Sequence, residues 1–283
     1  MSALPDRCGV VGGGRMGAGI AHALLLAGAE VVLLERDQDA SAAARDRVES
    51  AVRKSADRGQ VHDVAAVMAR LSSSADAADL AGAGLVVEAV PEDLDLKIAT
   101  LQRVSGQVSD GAAIASNTSS LSLDLLAEAV PHPERVIGLH FFNPVPASKL
   151  VEVVLAERTA PELRERAEGW VRLWGKTPVI VRNAPGFASS RLGVAIGLEA
   201  IRMVEEGVAS PEDIDAAMTL GYSFPMGPLR LTDLVGVDVR LGIARYLARE
   251  LGARFEPPRL MVEMVERGDL GRKTGRGFYE WDS

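Results

Sequence analysis

The sequence predicts an α/β domain with a mostly parallel sheet, followed by an all-α domain. Over the first two-thirds of the chain, short β-branched runs alternate with longer Ala/Leu-rich helical patterns, and the remainder is helical in period. Such alternation requires crossover connections, which produce a parallel sheet covered on both faces. A chain of 283 residues suits about two domains. We place the boundary near 183–187, which gives domains 1–184 and 185–283.

Each element of the first domain follows from a local pattern. The predicted strands, in chain order, are CGVV, EVVLLE, GLVVEAV, AAIASN, ERVIGLHF, KLVEVVLA and TPVIV. Helical patterns fill the intervals at 16–26, at about 40–58, and in LDLKIATLQRV and SLDLLAEAV. Thr159 and Glu162 have the spacing of a capping box, which predicts a helix that ends near Trp174.

The second domain shows few strand candidates before the run GFYEW. Ser210 followed by Pro211 is typical of the start of a helix, and Gly221 suits a helix end. This part of the chain is therefore predicted to be a helical domain.

Composition excludes several classes of function. The formal net charge is −8, so the chain lacks the general attraction for phosphate backbones that nucleic-acid binding requires, and anionic lipid would repel it. Cys8 is the single cysteine, which favours a reducing compartment. The N-terminal residues lack the layout of a signal peptide. We expect a cytoplasmic protein with no nucleic-acid partner, no membrane association and no metal site.

A glycine turn follows the first predicted strand. Gly12, Gly14 and Gly17 form Gly-x-Gly-x-x-Gly at the point where a helix begins. In this motif one glycine makes the tight turn, the next lets a pyrophosphate approach the amides, and the third lets the helix pack on the strand. The whole run is expected to line a dinucleotide; its other members are Gly13, Arg15 and Met16.

An acidic residue at the end of the second strand supports this interpretation. Glu35 lies 18 residues after Gly17 (35 − 17), near the spacing expected for an acid that binds the adenosine ribose. A carboxylate repels a 2′-phosphate, so NAD is predicted in preference to NADP. Arg36 keeps NADP as the alternative, because a guanidinium could face a phosphate or equally stack on adenine.

The segment VIGLHFFNPVPASKLVEVV contains one of the four histidines of the chain. Imidazole suits the transfer of a proton near neutral pH. Glu152 lies 12 residues after His140 (152 − 140), within an apolar strand where a carboxylate is costly unless it is paired. A His–Glu pair would account for both residues. On the pattern alone, a structural and a catalytic histidine are about equally expected.

The run SNTSSLS places hydroxyls and an amide at the carboxyl end of another strand, where open α/β sheets bind ligands. A plain helix cap is the alternative interpretation.

Taken together, these motifs resemble the L-3-hydroxyacyl-CoA dehydrogenase family, and most closely its short bacterial 3-hydroxybutyryl-CoA members. The resemblance extends over nearly the whole chain, through VVGGGRMGAGIA, EAVPEDLDLK, ASNTSSLS, GLHFFNPVPASKLVEVV, PMGPLRLTDLVGVD and KTGRGFYEW. It implies a Rossmann-like NAD-binding domain and a helical domain that helps close the acyl site and forms a homodimer. It also implies an acyl-CoA substrate and a role in fatty-acid metabolism such as β-oxidation.

The resemblance implies roles for individual residues. His140 matches the general base, Glu152 the acid that orients it, and Ser119 a serine that binds the substrate near its reacting hydroxyl. The positions that match contacts of the nicotinamide nucleotide are Glu92, Lys97, Asn117, Asn143 and Lys273. The alternative interpretation is that Glu92 and Lys97 are solvated charges on a helix. For Lys273 the alternative is a residue of the C-terminal tail with no role in binding.

Two departures from the family pattern affect the substrate more than the reaction. Ser190, in GFASSRL, stands where the family has a substrate-contacting Asn, and a shorter serine needs a water to reach the same group. Phe224 stands where short-chain members often have His.

The CoA phosphates would need cations, and the candidates on the charged helix are Arg53, Lys54 and Arg58. Taken one at a time, each of them is expected to be an ordinary solvated charge.

Two alternative functions remain open from the sequence. One is a dehydrogenase of a free 3-hydroxy acid or sugar acid, related to gulonate dehydrogenase. The other is a non-catalytic NAD-binding protein of the kind found among lens crystallins. A degraded His–Glu pair would favour the second, and both residues are present here.

Overall fold

The structure is a computed structural model that describes residues 3–282. It divides into two compact units, Met1–Asn183 and Ala184–Ser283. The first unit contains all of the extended strands, and the second is built from helices. The predicted fold class, a mostly parallel sheet domain followed by a helical domain, is therefore confirmed.

The first unit is organised around one eight-stranded sheet. Its strands are β1 (Arg7–Val11), β2 (Glu30–Leu34), β3 (Leu71–Ser74), β4 (Leu85–Glu88), β5 (Ala113–Ser116), β6 (Val136–Phe141), β7 (Leu150–Leu155) and β8 (Thr177–Arg182). They lie in the order β3-β2-β1-β4-β5-β6-β7-β8, and every neighbouring pair is parallel except β6 with β7. The strand order reverses between β1 and β4, which is where sheets of this kind bind ligands at their carboxyl edge.

Helices connect these strands. They are α1 (Arg15–Leu26), α2 (Gln38–Asp57), α3 (Val64–Met68), α4 (Leu94–Ser105), α5 (Leu123–Glu128) and α6 (Pro161–Leu173). Asp37 and Asp93 cap α2 and α4 by accepting a main-chain N–H of the first turn. Fully buried aliphatic side chains, among them Leu24 of α1 and Leu33 of β2, fill the core between sheet and helices.

The second unit contains α7 (Ser189–Glu205), α8 (Pro211–Ala216), a π-helical turn (Ala217–Gly221), α9 (Pro228–Val235), α10 (Val237–Leu251) and α11 (Arg259–Arg267). Ser210 caps α8 as predicted, since its side chain accepts the Asp213 N–H. Leu198, Leu229 and Leu241 meet in a separate apolar core. Short 3₁₀ turns complete both units, at Ala77–Leu80, Pro133–Arg135, Ala253–Phe255 and Arg272–Thr274.

Two buried aspartates hold the second unit together. Asp215 accepts the main-chain N–H groups of Leu229 and Arg230, both at 2.8 Å, and thereby caps α9 from a neighbouring helix. Asp233 binds the C-terminal run GFYEW by accepting two main-chain N–H groups and the indole N–H of Trp281, each at 2.9 Å. Hydrogen bonds from several donors offset the cost of burying a carboxylate in this way.

Three local predictions differ from the structure. The capping box was wrong: Ala160 is the N-cap of α6 because Pro161 occupies the first helical position, and the Thr159 hydroxyl instead donates to the Val136 carbonyl. The sequence did not predict β3, whose LSSS run has almost no apolar pattern. The run GFYEW was a strand candidate, but it pairs only through an isolated bridge between Glu280 and Arg276.

Within residues 3–282, no helix is both long and apolar enough to cross a bilayer.

Candidate active site

The glycine turn after β1 is shaped by backbone contacts. Gly12 has a φ of +90°, and a Cβ there would lie 2.9 Å from the Ala89 carbonyl oxygen. A Cβ on Gly17 would lie 1.7 Å from the Gly12 carbonyl oxygen, which no side chain can accommodate. Both positions therefore need glycine for the turn itself to form.

Gly14 differs, because the protein alone does not require a glycine there. Its φ is −61°, and a Cβ would meet no atom within 4 Å. The open space lies directly before α1, where the first N–H groups of the helix have no partner within the helix. Free N–H groups and the positive end of the helix dipole fit the pyrophosphate of a dinucleotide, which would be cradled by the turn up to Arg15 and Met16.

Glu35 is attached to this turn from the end of β2. Its Oε1 accepts the Gly13 N–H at 2.6 Å, and a Cβ on Gly13 would clash with Ala44 at 2.3 Å. The neighbouring Arg36 points into solvent and pairs with Asp37 at 3.0 Å. The negative carboxylate is thus held at the turn while the guanidinium is engaged elsewhere, an arrangement that suits the ribose hydroxyls of NAD.

His140 and Glu152 lie directly opposite each other in the antiparallel pair of β6 and β7. The distance between His140 Nδ1 and Glu152 Oε2 is 2.8 Å, and both side chains are buried. Glu152 lies between Val151 and Val153, which are fully buried, so the imidazole compensates a carboxylate placed in an apolar strand. The ring of Phe142 packs 4.4 Å from the imidazole, measured between ring centroids.

The segment after β5 forms a polar turn beside this pair. Asn117 accepts the Phe141 N–H at 2.9 Å, which ties the end of β5 to the end of β6. Ser119 is half-buried, and its main-chain N–H and its hydroxyl both bind Glu92 Oε1, at 2.7 Å and 3.0 Å. Glu92 therefore organises the turn that carries the predicted substrate-binding serine.

Sequence reasoning missed Glu88, the last residue of β4. It is fully buried and pairs with Lys97 at 2.7 Å. Lys97 is 1% exposed, which contradicts the alternative of a solvated helix charge. Like Glu152, Glu88 is a carboxylate in an otherwise apolar run, GLVVE. The argument that predicted a buried partner for Glu152 therefore applies to Glu88 as well.

A second lysine, also missed, fixes the loop after β6. Lys176 Nζ donates to the carbonyl oxygens of Val145, at 2.6 Å, and Ser148, at 2.5 Å. Burial lowers the pKa of Lys176. This loop carries Asn143, which is exposed and precedes Pro144 through a cis peptide bond.

The remaining predicted positions belong to the second unit or to α2. In the second unit, Ser190 is half-buried in the first turn of α7, and Phe224 is 37% exposed. The ammonium group of Lys273 donates to both carboxylate oxygens of Asp238, at 2.5 and 2.6 Å. Their roles toward substrate and cofactor stay predictions. On α2, Arg53 pairs with Glu49 in solvent. The first unit, by contrast, brings the glycine turn, Glu35, Glu92, Asn117, Ser119, His140 and Glu152 to one edge of the sheet.

A fold that binds a dinucleotide at this edge, and holds a histidine supported by a carboxylate beside it, belongs to the class of nicotinamide-dependent dehydrogenases. Comparison with known proteins narrows the class. Residues 7–184 match the family model for the NAD-binding domain of 3-hydroxyacyl-CoA dehydrogenase, and residues 186–281 match the model for its C-terminal domain. The chain belongs to the 3-hydroxyacyl-CoA dehydrogenase family, and is therefore an oxidoreductase that uses NAD.

Individual relatives agree with this assignment over most or all of their length. The chain is 41% identical to the 3-hydroxybutyryl-CoA dehydrogenase of Mycobacterium tuberculosis, covering 99% of this chain and 100% of the relative. It is 39% identical to the mitochondrial hydroxyacyl-coenzyme A dehydrogenase of Sus scrofa, covering 96% and 90%. The crystal structure of (S)-3-hydroxybutyryl-CoA dehydrogenase from Ralstonia eutropha superposes with a TM-score of 0.94 at 38% identity, covering 98% and 99%.

Two alanine substitutions in the glycine turn separate folding from cofactor binding. Gly14→Ala should change the free energy of unfolding by less than about 1 kcal/mol, because the methyl group meets no protein atom. It should weaken NADH binding on the order of tenfold, since the methyl group enters the space for the phosphates. Denaturant unfolding and NADH fluorescence titration measure the two effects.

Gly17→Ala is the matched comparison. Its methyl group would collide with the Gly12 carbonyl, so the free energy of unfolding should fall by about 1–3 kcal/mol together with NADH affinity. If Gly14→Ala bound NADH as tightly as the unaltered protein, the turn would not be the phosphate site.

Proposed function

We propose that the protein oxidises short-chain L-3-hydroxyacyl-CoA, such as 3-hydroxybutyryl-CoA, to 3-ketoacyl-CoA with NAD, and catalyses the reverse reaction. The observation that carries this proposal is the buried His140–Glu152 contact of 2.8 Å at the sheet edge that also bears the glycine turn. The names of the relatives, 3-hydroxybutyryl-CoA and hydroxyacyl-coenzyme A dehydrogenases, support the choice of substrate class.

In this proposal His140 is the residue that transfers the proton. With Nδ1–H donated to Glu152, the lone pair of the neutral ring lies on Nε2, and this nitrogen takes the hydroxyl proton of the substrate. When bound, NAD supplies the acceptor for the hydride that leaves C3. Glu152 stabilises the imidazolium ion that results, as carboxylates do in other triads. In the reverse direction the same nitrogen returns the proton to the carbonyl oxygen.

Serine hydroxyls complete the proposed site. Ser119 lies on the turn organised by Glu92, at the edge of the sheet where we place the reaction; its main-chain N–H stays on Glu92, while its single hydroxyl hydrogen turns from Glu92 Oε1 to the reacting oxygen when substrate is bound. Ser190 contacts the substrate through a water, because its side chain is shorter than that of the family's Asn. The residues that we assign to the nicotinamide nucleotide are Glu35, Glu92, Lys97, Asn117, Asn143 and Lys273.

Glu152→Gln should lower kcat by about 10²- to 10⁴-fold, because the amide no longer stabilises the charged imidazole. His140→Ala should lower kcat by at least as much. The double variant should be no slower than His140→Ala, since the two residues act as one unit. Steady-state oxidation of 3-hydroxybutyryl-CoA measures these effects. Full kcat in His140→Ala would exclude His140 as the base.

Substrate class is tested by comparing acetoacetyl-CoA with free acetoacetate in the reduction direction, following NADH consumption. We expect turnover of the thioester and, for the free acid, a kcat/KM lower by orders of magnitude. Activity without CoA would instead favour a free 3-hydroxy acid or sugar acid dehydrogenase. NADH binding without turnover of either compound would favour a crystallin-like protein. A series of acyl lengths, repeated with Ser190→Asn, then defines chain-length preference.

We also propose a homodimer formed through the C-terminal unit. The support is a row of exposed apolar side chains on α9, where Leu231 is 39%, Leu234 38% and Val235 43% exposed. Leu220 and Tyr222 are more exposed still, at 84% and 75%. Leu231, Leu234 and Val235 share one helical face by their spacing, and an exposed apolar face of this kind is typical of an interface between subunits. A cytoplasmic location is proposed as well, supported by the single, buried Cys8.

Two charges on this row should disrupt the dimer. Leu231→Glu combined with Val235→Glu places carboxylates on one helical face, and should convert the protein to a monomer in size-exclusion chromatography with light scattering. Leu173→Glu, an exposed apolar residue of α6, is the matched control and should leave the mass unchanged. A double variant that keeps the mass of the unaltered protein would place the interface elsewhere.

A further inference from the structure

Arg240, on α10, is a buried cation of the second unit. The residue is 6% exposed, and burial lowers the pKa of its guanidinium group to about 10. The group therefore stays ionised at neutral pH. A buried charge is costly unless an anion or several hydrogen-bond acceptors compensate it. The partners of this guanidinium therefore decide what the residue does.

Within residues 3–282, the guanidinium has one hydrogen-bond partner, the carbonyl oxygen of Gly193 on α7, to which Nη1 donates. A guanidinium has five N–H donors, so most of them are left over. Burial is the only effect on its pKa, so no described carboxylate lies close enough to raise it. The two buried aspartates of the unit are engaged elsewhere, Asp215 at the start of α9 and Asp233 on the C-terminal run.

The hydrogen bond to Gly193 does not account for the charge. This carbonyl lies inside α7, where the N–H group four residues later already donates to it in the regular helical pattern. A neutral amide side chain could donate to the same oxygen without the cost of burying a cation. A role in joining α7 to α10 therefore explains the contact and leaves the positive charge unexplained.

The unused donors of Arg240 reach accessible space. Among the described residues, the buried side-chain nitrogens that have no hydrogen-bond partner include Nε of Arg7, Arg70 and Arg135, but no nitrogen of Arg240. Since Nε and Nη2 of Arg240 form no hydrogen bond within the described part of the chain, they lie at the small exposed part of the residue. An anionic group of a ligand can approach the guanidinium from this side.

The guanidinium lies against two glycines of α7. A Cβ on Gly197 would lie 2.8 Å from Nη1, so the group would have to shift, and a Cβ on Gly193 would lie 3.8 Å from Nη2. Ser190 precedes Gly193 by three residues, so the two lie one turn apart on the same face of α7. One turn advances about 5.4 Å, a distance that a few methylene groups span.

We propose that Arg240 is a specificity-determining residue, which binds a carboxylate at the far end of the acyl chain of the substrate. Nε and Nη2 form one edge of the guanidinium, and their parallel N–H groups match the two oxygens of a carboxylate. The preferred substrates are then 3-hydroxyacyl-CoA thioesters of dicarboxylic acids. 3-Hydroxybutyryl-CoA, which lacks this carboxylate, is turned over with a lower kcat/KM. The inference rests on the proposed function, because it takes Ser190 as a residue that contacts the acyl substrate.

Two thioesters of equal length test the proposal in the direction of reduction. The acyl chain of 3-oxoadipyl-CoA ends in a carboxylate, and that of 3-oxohexanoyl-CoA ends in a methyl group. In the unaltered protein, kcat/KM should be at least about tenfold higher for 3-oxoadipyl-CoA, because only this substrate makes the charged hydrogen bonds to Arg240. This comparison needs no variant, so it holds even where a substitution disturbs folding.

Arg240→Met removes the charge and keeps an apolar stem of similar length. It should lower kcat/KM for 3-oxoadipyl-CoA on the order of 10- to 100-fold. The loss should appear in KM rather than kcat, since a contact far from the reacting carbon is equally strong in the ground state and the transition state. For 3-oxohexanoyl-CoA, kcat/KM should change by less than about threefold.

Two further variants control for charge and for position. Arg240→Lys should give an intermediate preference, because an ammonium group keeps the charge but lacks the planar fork. Arg249→Met removes an arginine of the same helix that pairs with Glu250 in solvent, and should leave the preference unchanged. Denaturant unfolding shows whether each variant is folded.

Two other sources of the anion give different results. If a free small anion occupied the site, acetate would raise the thermal midpoint of the unaltered protein above that in chloride at equal ionic strength. This effect would be lost in Arg240→Met, and neither thioester would be preferred. If a carboxylate of a second copy occupied the site, Arg240→Met would lower the mass in light scattering, again with no preference between the thioesters. Either result would overturn the proposal.

The kinetics can also contradict the proposal directly. It is wrong if the unaltered protein reduces both thioesters with equal kcat/KM, or if Arg240→Met keeps the preference. It is equally wrong if Arg240→Met slows both reactions by the same factor, which would indicate a structural role. Failure of the unaltered protein to reduce any of these thioesters, acetoacetyl-CoA included, would instead reject the proposed function, so the two failures are distinguishable.

Discussion

The contact between His140 Nδ1 and Glu152 Oε2 is the interaction on which the proposed chemistry depends. It requires the one antiparallel pairing in the sheet, because only the β6–β7 register places the two residues directly opposite each other. It also makes a buried carboxylate tolerable within an apolar strand. The same contact decides which ring nitrogen holds the lone pair, so a structural requirement and a catalytic one are met together.

The parallel strands place the other proposed site residues of the first unit at the same edge of the sheet. Because β1, β4, β5 and β6 are neighbours in register, the glycine turn, Glu88, the Ser119 turn and His140 follow one another along their carboxyl ends. Two buried pairs lie in this row: the hydrogen-bonded His140 and Glu152, and the ion pair of Lys97 and Glu88. Each compensates a charge inside the fold and also extends toward a site residue.

Sequence patterns predicted the fold class because strand–helix alternation and a glycine turn are local signals, and the family resemblance was confirmed. β3 escaped prediction because its three serines give no apolar pattern, and Pro161 displaced the expected cap of α6. Glu88 was missed although it carries the same signal as Glu152. The burial of Lys97 depends on contacts between β4, α4 and the turn after β5, which no spacing along the chain reveals. The role of Ser190 stays a prediction, because the presence of a shorter serine where the family has Asn leaves its contact with the substrate undefined.

The tautomer of His140 tests the central claim most directly. At a pH where the His140 ring is neutral, long-range ¹⁵N–¹H NMR spectra of ¹⁵N-histidine-labelled protein distinguish its two ring nitrogens. The chain has four histidines, and the signal that disappears in His140→Gln is that of His140. The account predicts that Nδ1 carries the hydrogen, that Nε2 holds the lone pair, and that this preference is lost in Glu152→Gln. A neutral His140 with its hydrogen on Nε2, unaffected by Glu152→Gln, would contradict it.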